Sequence, residues 1–323
     1  MPGEQRLKIQ VGETVAHQFR FGIATLQNVP WEMLLRRWRS SEELGFDSAW
    51  VADHFVNYEA PTDPWFEGWT LMAALASRTS RIRVGTISSM PLRNPVVLAR
   101  QALTLDHISN GRLDLGVGAG APGDIDPSYR MTGIENWSPP ERVARFREVV
   151  EILDQCLRNS ATTYRGRYYQ FEDAMMAPQP VQKPRPPITI GAMGPSMLKI
   201  AARYGDTWNT FGGEFGAPPE VMLENVKQQS RLITDCCVKI GRDPNSLRRS
   251  LLIWGSEALT VFDSEEAFKE VVKRYSDVGF SEFMFFHPDT APEISSRALK
   301  EIATGVMPEL RRDSGPSLVP HAS

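Results

Sequence analysis

The chain has 323 residues, with 36 Lys and Arg against 39 Asp and Glu and a net charge of −3. At about 150 residues per domain this length allows two domains or one large α/β barrel, and the near-neutral balance excludes a general nucleic-acid or polyanion surface. No stretch approaches the ~20 apolar residues of a membrane span, residues 1–17 lack the apolar core of a signal peptide, and three cysteines without Cys-x-x-Cys spacing (Cys156, Cys236 and Cys237) point to a reducing, cytoplasmic setting.

Short apolar runs then alternate with helical stripes. Residues 19–24 read as a first strand. Pro30 opens a helix in which Trp31, Leu34, Leu35 and Trp38 recur at helical spacing, and Gly45 ends it. Residues 48–52 form the second strand, 67–77 a helix and 82–86 the third strand. Asn94 reads as a helix cap with Pro95 in the first turn and Gly111 past the end, and 113–117 is the fourth strand. The polar stretch 120–138 is longer than most connections and is a candidate functional loop. Val143, Phe146, Val150, Leu153 and Leu157 then mark a clear helix. A hairpin over 162–171, around Arg165-Gly166, and Pro-rich chain as far as Pro187 read as an insertion. Strands near 187–191, 206–210, 251–254 and 282–286 follow, separated by helices, one of them striped by Phe268, Val271, Val272 and Tyr275.

The count is eight strands in alternation with about eight helices. Near-continuous apolar strands such as Ala49-Trp50-Val51-Ala52 fit a parallel sheet covered on both faces. Eight such units close into a TIM (β/α)8 barrel, with its site at the carboxyl ends of the strands; a doubly wound sheet is the alternative. The expected organisation is an N-terminal extension (1–18), one barrel domain (19–308) with an insertion at about 160–187, and a flexible tail (309–323).

Gly118-Ala119-Gly120-Ala121-Pro122-Gly123 matches G-x-G-x-x-G. A dinucleotide site needs a helix opening within these glycines, and no helical stripe follows for roughly fifteen residues. The glycines read better as backbone that lets a ligand come close at a barrel mouth. No Walker loop or G-x-S-x-G elbow is present. The histidines (His17, His54, His107, His287 and His321) are scattered, without metal-ligand spacing. Arg36-Arg37-Trp38-Arg39 reads as a solvated face around a core tryptophan. Asp53-His54-Phe55 directly follows the second strand, where a barrel presents side chains to its site, and an imidazole there can exchange protons near neutral pH.

Several segments together resemble the bacterial luciferase-like superfamily of flavin and deazaflavin enzymes. They are the run from Gly45-Phe46-Asp47 to Asp53-His54-Phe55; Arg83-Val84-Gly85-Thr86 with Arg93-Asn94-Pro95; Leu105-Asp106-His107-Ile108-Ser109-Asn110-Gly111-Arg112-Leu113 running on to Gly120; Pro184-Arg185-Pro186-Pro187-Ile188 before Gly191-Ala192-Met193-Gly194-Pro195; and Ala201 to Asn209. The resemblance implies a TIM barrel with an inserted segment, binding either FMN or the deazaflavin coenzyme F-420 at the barrel mouth. It implies a backbone bulge at Ile87, Ser88 and Ser89 against the ring, with Ile87-Ser88 the candidate for a non-prolyl cis peptide. It also implies His54 near the reactive ring with Asp53 beside it, and cofactor contacts from Asp53, Ala119, Gly120, Gly191, Ala192, Met193 and Gly194.

The run from Met193 to Asn209 looks more like the deazaflavin-dependent subgroup. That implies hydride transfer to or from a small organic substrate, with an FMN-dependent monooxygenase as the alternative and a non-catalytic flavin-binding relative as a third reading. Sugar-phosphate dehydrogenases of the family carry an acid where this chain has Ala121. Substrate contacts are expected from 56–64 and 121–137, with no nucleic-acid or membrane partner, and a homodimer is left open.

Overall fold

The computed structural model describes residues 18–89, 92–121, 123, 125–213, 217–288 and 296–314. The strands are β1 (Arg20–Thr25), β2 (Ser48–Asp53), β3 (Arg83–Ser89), β4 (Leu113–Gly118), β5 (Ala161–Arg165), β6 (Gln170–Met175), β7 (Ile188–Gly191), β8 (Thr207–Thr210), β9 (Arg248–Leu252) and β10 (Glu282–Phe286). All but the antiparallel β5–β6 hairpin pair in parallel with their neighbours in chain order, and β10 closes on β1 from Arg20↔Glu282 to Ala24↔Phe286. A closed parallel barrel replaces the doubly wound alternative.

The helices are α1 (Trp31–Glu43), α2 (Gly68–Ala76), α3 (Pro95–Ile108), α4 (Ser128–Thr132), α5 (Pro139–Arg158), α6 (Pro195–Tyr204), α7 (Pro219–Lys239), α8 (Gly255–Thr260), α9 (Glu265–Ser276), α10 (Ser296–Glu301) and α11 (Met307–Asp313). Their starts follow local chemistry. The Asn94 side chain accepts from the Val96 and Val97 N–H groups ahead of Pro95, Glu67 caps α2 through Trp69 and Thr70, and Ser264 caps α9 through Ala267. None of the described helices is long and apolar enough to cross a membrane.

Successive strand residues point to opposite faces. The outward set, including Phe21, Ile23, Val84, Leu115, Ile190, Trp208, Phe283 and Phe285, is buried under the helices. Each such side chain contributes about 1.5–3 kcal/mol of transfer free energy. Trp38 on α1 is fully buried and donates its indole N–H to Thr25 Oγ1 at 2.9 Å, so this side chain is seated by packing with its one polar atom satisfied.

Four readings of the sequence need correction. The ninth strand starts at Arg248 rather than 251, because its first residues are polar: Arg248 faces Glu282 and Arg249 bonds Thr234 Oγ1 at 2.8 Å. Arg37 is buried rather than solvated. The chain is helical to Asp313, where a flexible tail from 309 was expected. Arg311 holds that helix to the barrel by an ion pair with Asp47 at 2.7 Å and lies over the Phe21 ring. Finally, β3 does not bulge at Ile87-Ser88-Ser89. It stays in register with β2 to Asp53↔Ser88 and with β4 to Ser89↔Gly118, and the cis peptide bonds among the described residues are Ala177-Pro178 and Lys183-Pro184. Both neighbouring strands run long enough to keep those ladder groups paired. Met90 and Pro91, which the sequence marks as the end of pairing, lie outside the described residues.

Candidate active site

The inward residues of the barrel form three layers. At the amino ends of the strands, Arg83 forks onto Asp114 (2.9 and 2.7 Å) and Arg20 reaches Asp114 and Glu282, each at 3.3 Å. These guanidinium groups hold the Asp114 carboxyl below its usual range against the opposing effect of burial. The middle layer is buried: Gly22, Trp50, Gly85, Gly116, Thr189, Asn209, Ser250 and Met284. A Cβ on Gly22 or Gly85 would collide with Trp50 or its neighbours, so the small residues exist to admit that indole, whose N–H bonds Ser48 Oγ at 2.9 Å. The barrel is plugged from below. At the carboxyl ends, Ala24, Ala52, Ile87, Gly118, Gly191, Leu252 and Phe286 are all half-buried, which makes this the open end.

Two unlike walls line the mouth. On β3, β4 and β7, Ile87 is followed on the next two strands by glycines, where a Cβ would sit 3.4 Å (Gly118) and 3.5 Å (Gly191) from its Cγ2. Across the barrel, Trp254 packs edge-on to Phe286 at 5.0 Å and lies 6.2 Å from Phe211. Beyond Gly118, Ala119 and Gly120 leave the strand, and Gly120 has a φ of +82°. Beyond Gly191, the buried Ala192 is pinned by its N–H to Asn209 O at 3.0 Å and by Trp208 Nε1 donating to its carbonyl at 2.8 Å. Gly194 then starts α6 with no side-chain cap, leaving first-turn N–H groups without a side-chain acceptor. Met193 and Pro195 border a cavity of about 240 Å³ whose polar lining comes from Asn225, Gln228 and Gln229 of α7.

His54 stands at the rim, half-buried. Its ring lies parallel to Tyr58 (4.1 Å between centroids, 8°) and to Trp65 (6.4 Å, 12°), and its carbonyl accepts from Trp65 Nε1 at 2.9 Å. Burial pushes the imidazole below its ordinary pKa, and the carboxylates of Asp126 and Asp53 pull the other way. His54 is therefore neutral at pH 7. The Tyr58 hydroxyl donates to Asp126 Oδ2 at 2.8 Å.

Asp53 is not brought to the mouth with His54. It points outward and is buried, its carboxylate forked by Arg93 (Nε–Oδ2 2.8 Å and Nη2–Oδ1 2.5 Å), which also pairs with the α2 cap Glu67 at 2.7 Å. Gly68 lets α2 approach, since a Cβ there would lie 3.0 Å from the Ala52 carbonyl. Gln27, also buried, extends the β1–β2 ladder with its side chain, bonding the Ala52 carbonyl (2.6 Å) and N–H (3.1 Å). Sequence reasoning missed Arg93, Gln27, Tyr58 and Asp126 as site residues. Of these, Arg93 carried a signal in the run Arg93-Asn94-Pro95, and Tyr58 and Asp126 lie in the loops expected to contact substrate, though neither residue was singled out. Among the described residues no group of three His, Cys, Asp or Glu is placed to hold a metal ion.

A family model described as luciferase-like monooxygenase matches residues 14–304. The chain belongs to this family. An F-420-dependent glucose-6-phosphate dehydrogenase of Kineococcus radiotolerans is 28% identical over 319 residues, covering 84% of this chain and 90% of that one. An enzyme of the same description from Amycolatopsis mediterranei is 38% identical over 170 residues, where the chain spans about half (49%) of the relative's length. Among solved structures, an F-420-dependent secondary alcohol dehydrogenase in complex with an F-420–acetone adduct superposes over 94% of this chain and 100% of that one. The TM-score is 0.75 at 20% identity, a likeness of fold. The solved structure therefore shares the barrel fold.

Proposed function

We propose that this chain is a cytoplasmic oxidoreductase that transfers hydride between the deazaflavin coenzyme F-420 and a small organic substrate at the barrel mouth. The observation that carries the proposal is the wall of Ile87, Gly118 and Gly191. It is apolar, rigid, half-exposed and free of side chains beyond the isoleucine on β4 and β7, which suits the face of a flat ring. On this reading Ile87, Gly118 and Gly191 support the ring. The backbone of Ser88, Ser89, Ala119 and Gly120 meets its polar edge. Ala192, Met193 and Gly194 lead to the uncapped start of α6, where N–H groups take a phosphate. When bound, the deazaflavin supplies a ring carbon that gives or takes hydride and reacts poorly with oxygen.

His54 moves the accompanying proton through a ring nitrogen, and its neutral state at pH 7 equips it to accept one. Asp53 acts at one remove: with Arg93 and Glu67 it locks the end of β2, from which His54 projects. Glucose 6-phosphate is not the substrate we propose. Where the family's sugar-phosphate dehydrogenases carry an acid, Ala121 offers only a carbonyl, and that oxygen accepts the Tyr129 hydroxyl at 3.0 Å.

The second reading is an FMN-dependent monooxygenase, favoured by the description of the matching family. Titration of the purified protein with the deazaflavin and with FMN, followed by ring fluorescence, separates the two. Tighter binding of the deazaflavin supports the first reading. Stoichiometric FMN with oxygen-dependent product formation supports the second.

A further inference from the structure

We propose that Tyr58 and Asp126 form a clasp that joins the loops following β2 and β4 past the end of β3 and fixes the plane of the His54 imidazole, which makes both of them positioning residues. The proposal rests on the reading of His54 as the proton-transfer group.

The clasp has a fixed side and a carried side. On the fixed side, Asp126 is 1% exposed; one oxygen takes the Tyr58 hydroxyl and the other the Ser128 N–H at 2.8 Å, at the start of α4. The surrounding loop is itself tied down. Tyr129 donates to the Ala121 carbonyl, Arg142 lies 5.6 Å over the Tyr129 ring, and the same guanidinium bonds Asn136 Oδ1 at 2.9 Å. A carboxylate so removed from water is costly unless its bonds are used. Here one of those bonds runs to a residue 68 positions away in sequence, on the loop one strand over.

On the carried side, the Tyr58 ring lies flat against His54. A ring held by its hydroxyl at one end and its backbone at the other restricts rotation of the imidazole stacked on it. The Tyr58 hydroxyl, giving its hydrogen bond to a carboxylate, also makes the phenol face richer in electrons, which favours an imidazolium over a neutral imidazole. The carboxylates whose charge reaches His54 are Asp126 from the β4 loop and, from behind its own strand, Asp53, held by Arg93; Tyr58 stacks on it, and Tyr129 lies beyond Tyr58 and Asp126. Asp126 is thus the carboxylate that couples to His54 through a side chain in contact with it. Phe55, next to His54, is 51% exposed and takes no part in the stack, whereas Trp65 of the same loop lies parallel to the imidazole and bonds the His54 carbonyl.

The test follows the His54 ring protons by NMR in the cofactor-free protein, assigned by their disappearance in His54→Asn, together with turnover using whichever of the deazaflavin or FMN binds. In the parent the ring protons lie upfield, shielded by the stack. Tyr58→Phe moves them toward the ordinary histidine position and lowers kcat about tenfold, the order of one lost hydrogen bond, with cofactor affinity retained. Asp126→Asn lowers the His54 titration midpoint by about one pH unit. Unchanged ring shifts in Tyr58→Phe overturn the clasp, and this variant decides if Asp126→Asn does not fold. A loss of turnover with unchanged His54 signals overturns it as well. Full turnover in His54→Asn overturns instead the reading of His54, and the ring shifts still decide the clasp.

Discussion

Substituting Gly116 by alanine tests how closely the backbones of β3 and β4 meet below the mouth. Gly116 pairs with Ile87, and a Cβ there would lie 2.1 Å from the Thr86 carbonyl oxygen, 2.9 Å from its carbon and 3.1 Å from Ile87 Cα. All three are backbone atoms, so no side chain can turn aside. An ordinary C···O contact is about 3.3 Å, so the strands must part by about 1 Å. That distance breaks the nearest ladder bonds. Two of them at ~1 kcal/mol each, with ~1–2 kcal/mol of strain, give a loss of about 3–4 kcal/mol. At roughly 2 °C per kcal/mol for a chain of this size, the midpoint of thermal unfolding should fall by about 6–8 °C. The control is Gly305→Ala, where a Cβ meets nothing within 4 Å and should be neutral or stabilise by up to ~1 kcal/mol. The assay is thermal unfolding by circular dichroism on both variants beside the parent. A Gly116→Ala protein melting within about 1 °C of the parent would refute the reasoning.

Three further outcomes are expected. His54→Asn should keep cofactor binding, read by fluorescence, and lose about 10²–10⁴-fold in kcat. Because burial lowers the His54 pKa, the unfolded chain takes up the proton first; the parent should lose stability as pH falls through the ordinary histidine range, and urea unfolding at pH 7.5 and 5.5 should show a smaller loss for this variant. Glu67 is held at about 2 by its cap bonds and Arg93, so its contribution is present above the ordinary carboxylate range and disappears as pH falls toward 2. Glu67→Gln should therefore cost about 1 kcal/mol at pH 7, and the gap to the parent should close at acid pH in the same unfolding assay. Arg145 lies between Trp137 (4.3 Å) and Tyr168 (4.4 Å), and Arg145→Ala should loosen the β4 loop from the β5–β6 hairpin, costing about 1–2 kcal/mol and raising proteolytic nicking near 137.

The barrel was legible in the sequence because its outward strand residues face helices rather than water, so strands such as β2 and β10 read as apolar runs and the helices between them as stripes. Legibility failed where a strand begins with charges: Arg248 and Arg249 belong to β9 but find their partners on β10 and α7. Of the site, His54 and the glycines could be placed, since the end of a strand fixes what a barrel presents to its ligand. Asp53 was read as a neighbour of the chemistry, whereas its partner Arg93 lies 40 residues on. No local period announces a contact of that length, and the same holds for Tyr58 and Asp126. The stretch 309–313 was misjudged because its composition is polar, and what holds it as helix lies far off in sequence: Arg311 on Asp47 and the Phe21 ring, and Glu309 on Lys269.

The wall of Ile87, Gly118 and Gly191 is defined by atoms it does not have. Every substitution at the two glycines adds volume, so this half of the mouth has no graded series of alternatives: it either admits a flat ligand or is filled. The loops at 55–64 and 125–137, which follow β2 and β4 on either side of β3, are tied by side chains to one another and to the hairpin, through Tyr58–Asp126 and Arg145. The rest of those loops can change without disturbing a single strand. A laboratory seeking a new substrate should therefore randomise the loops while preserving their tethers, and leave β3, β4 and β7 untouched. Such a library would vary what is transformed while holding constant the surface that transforms it.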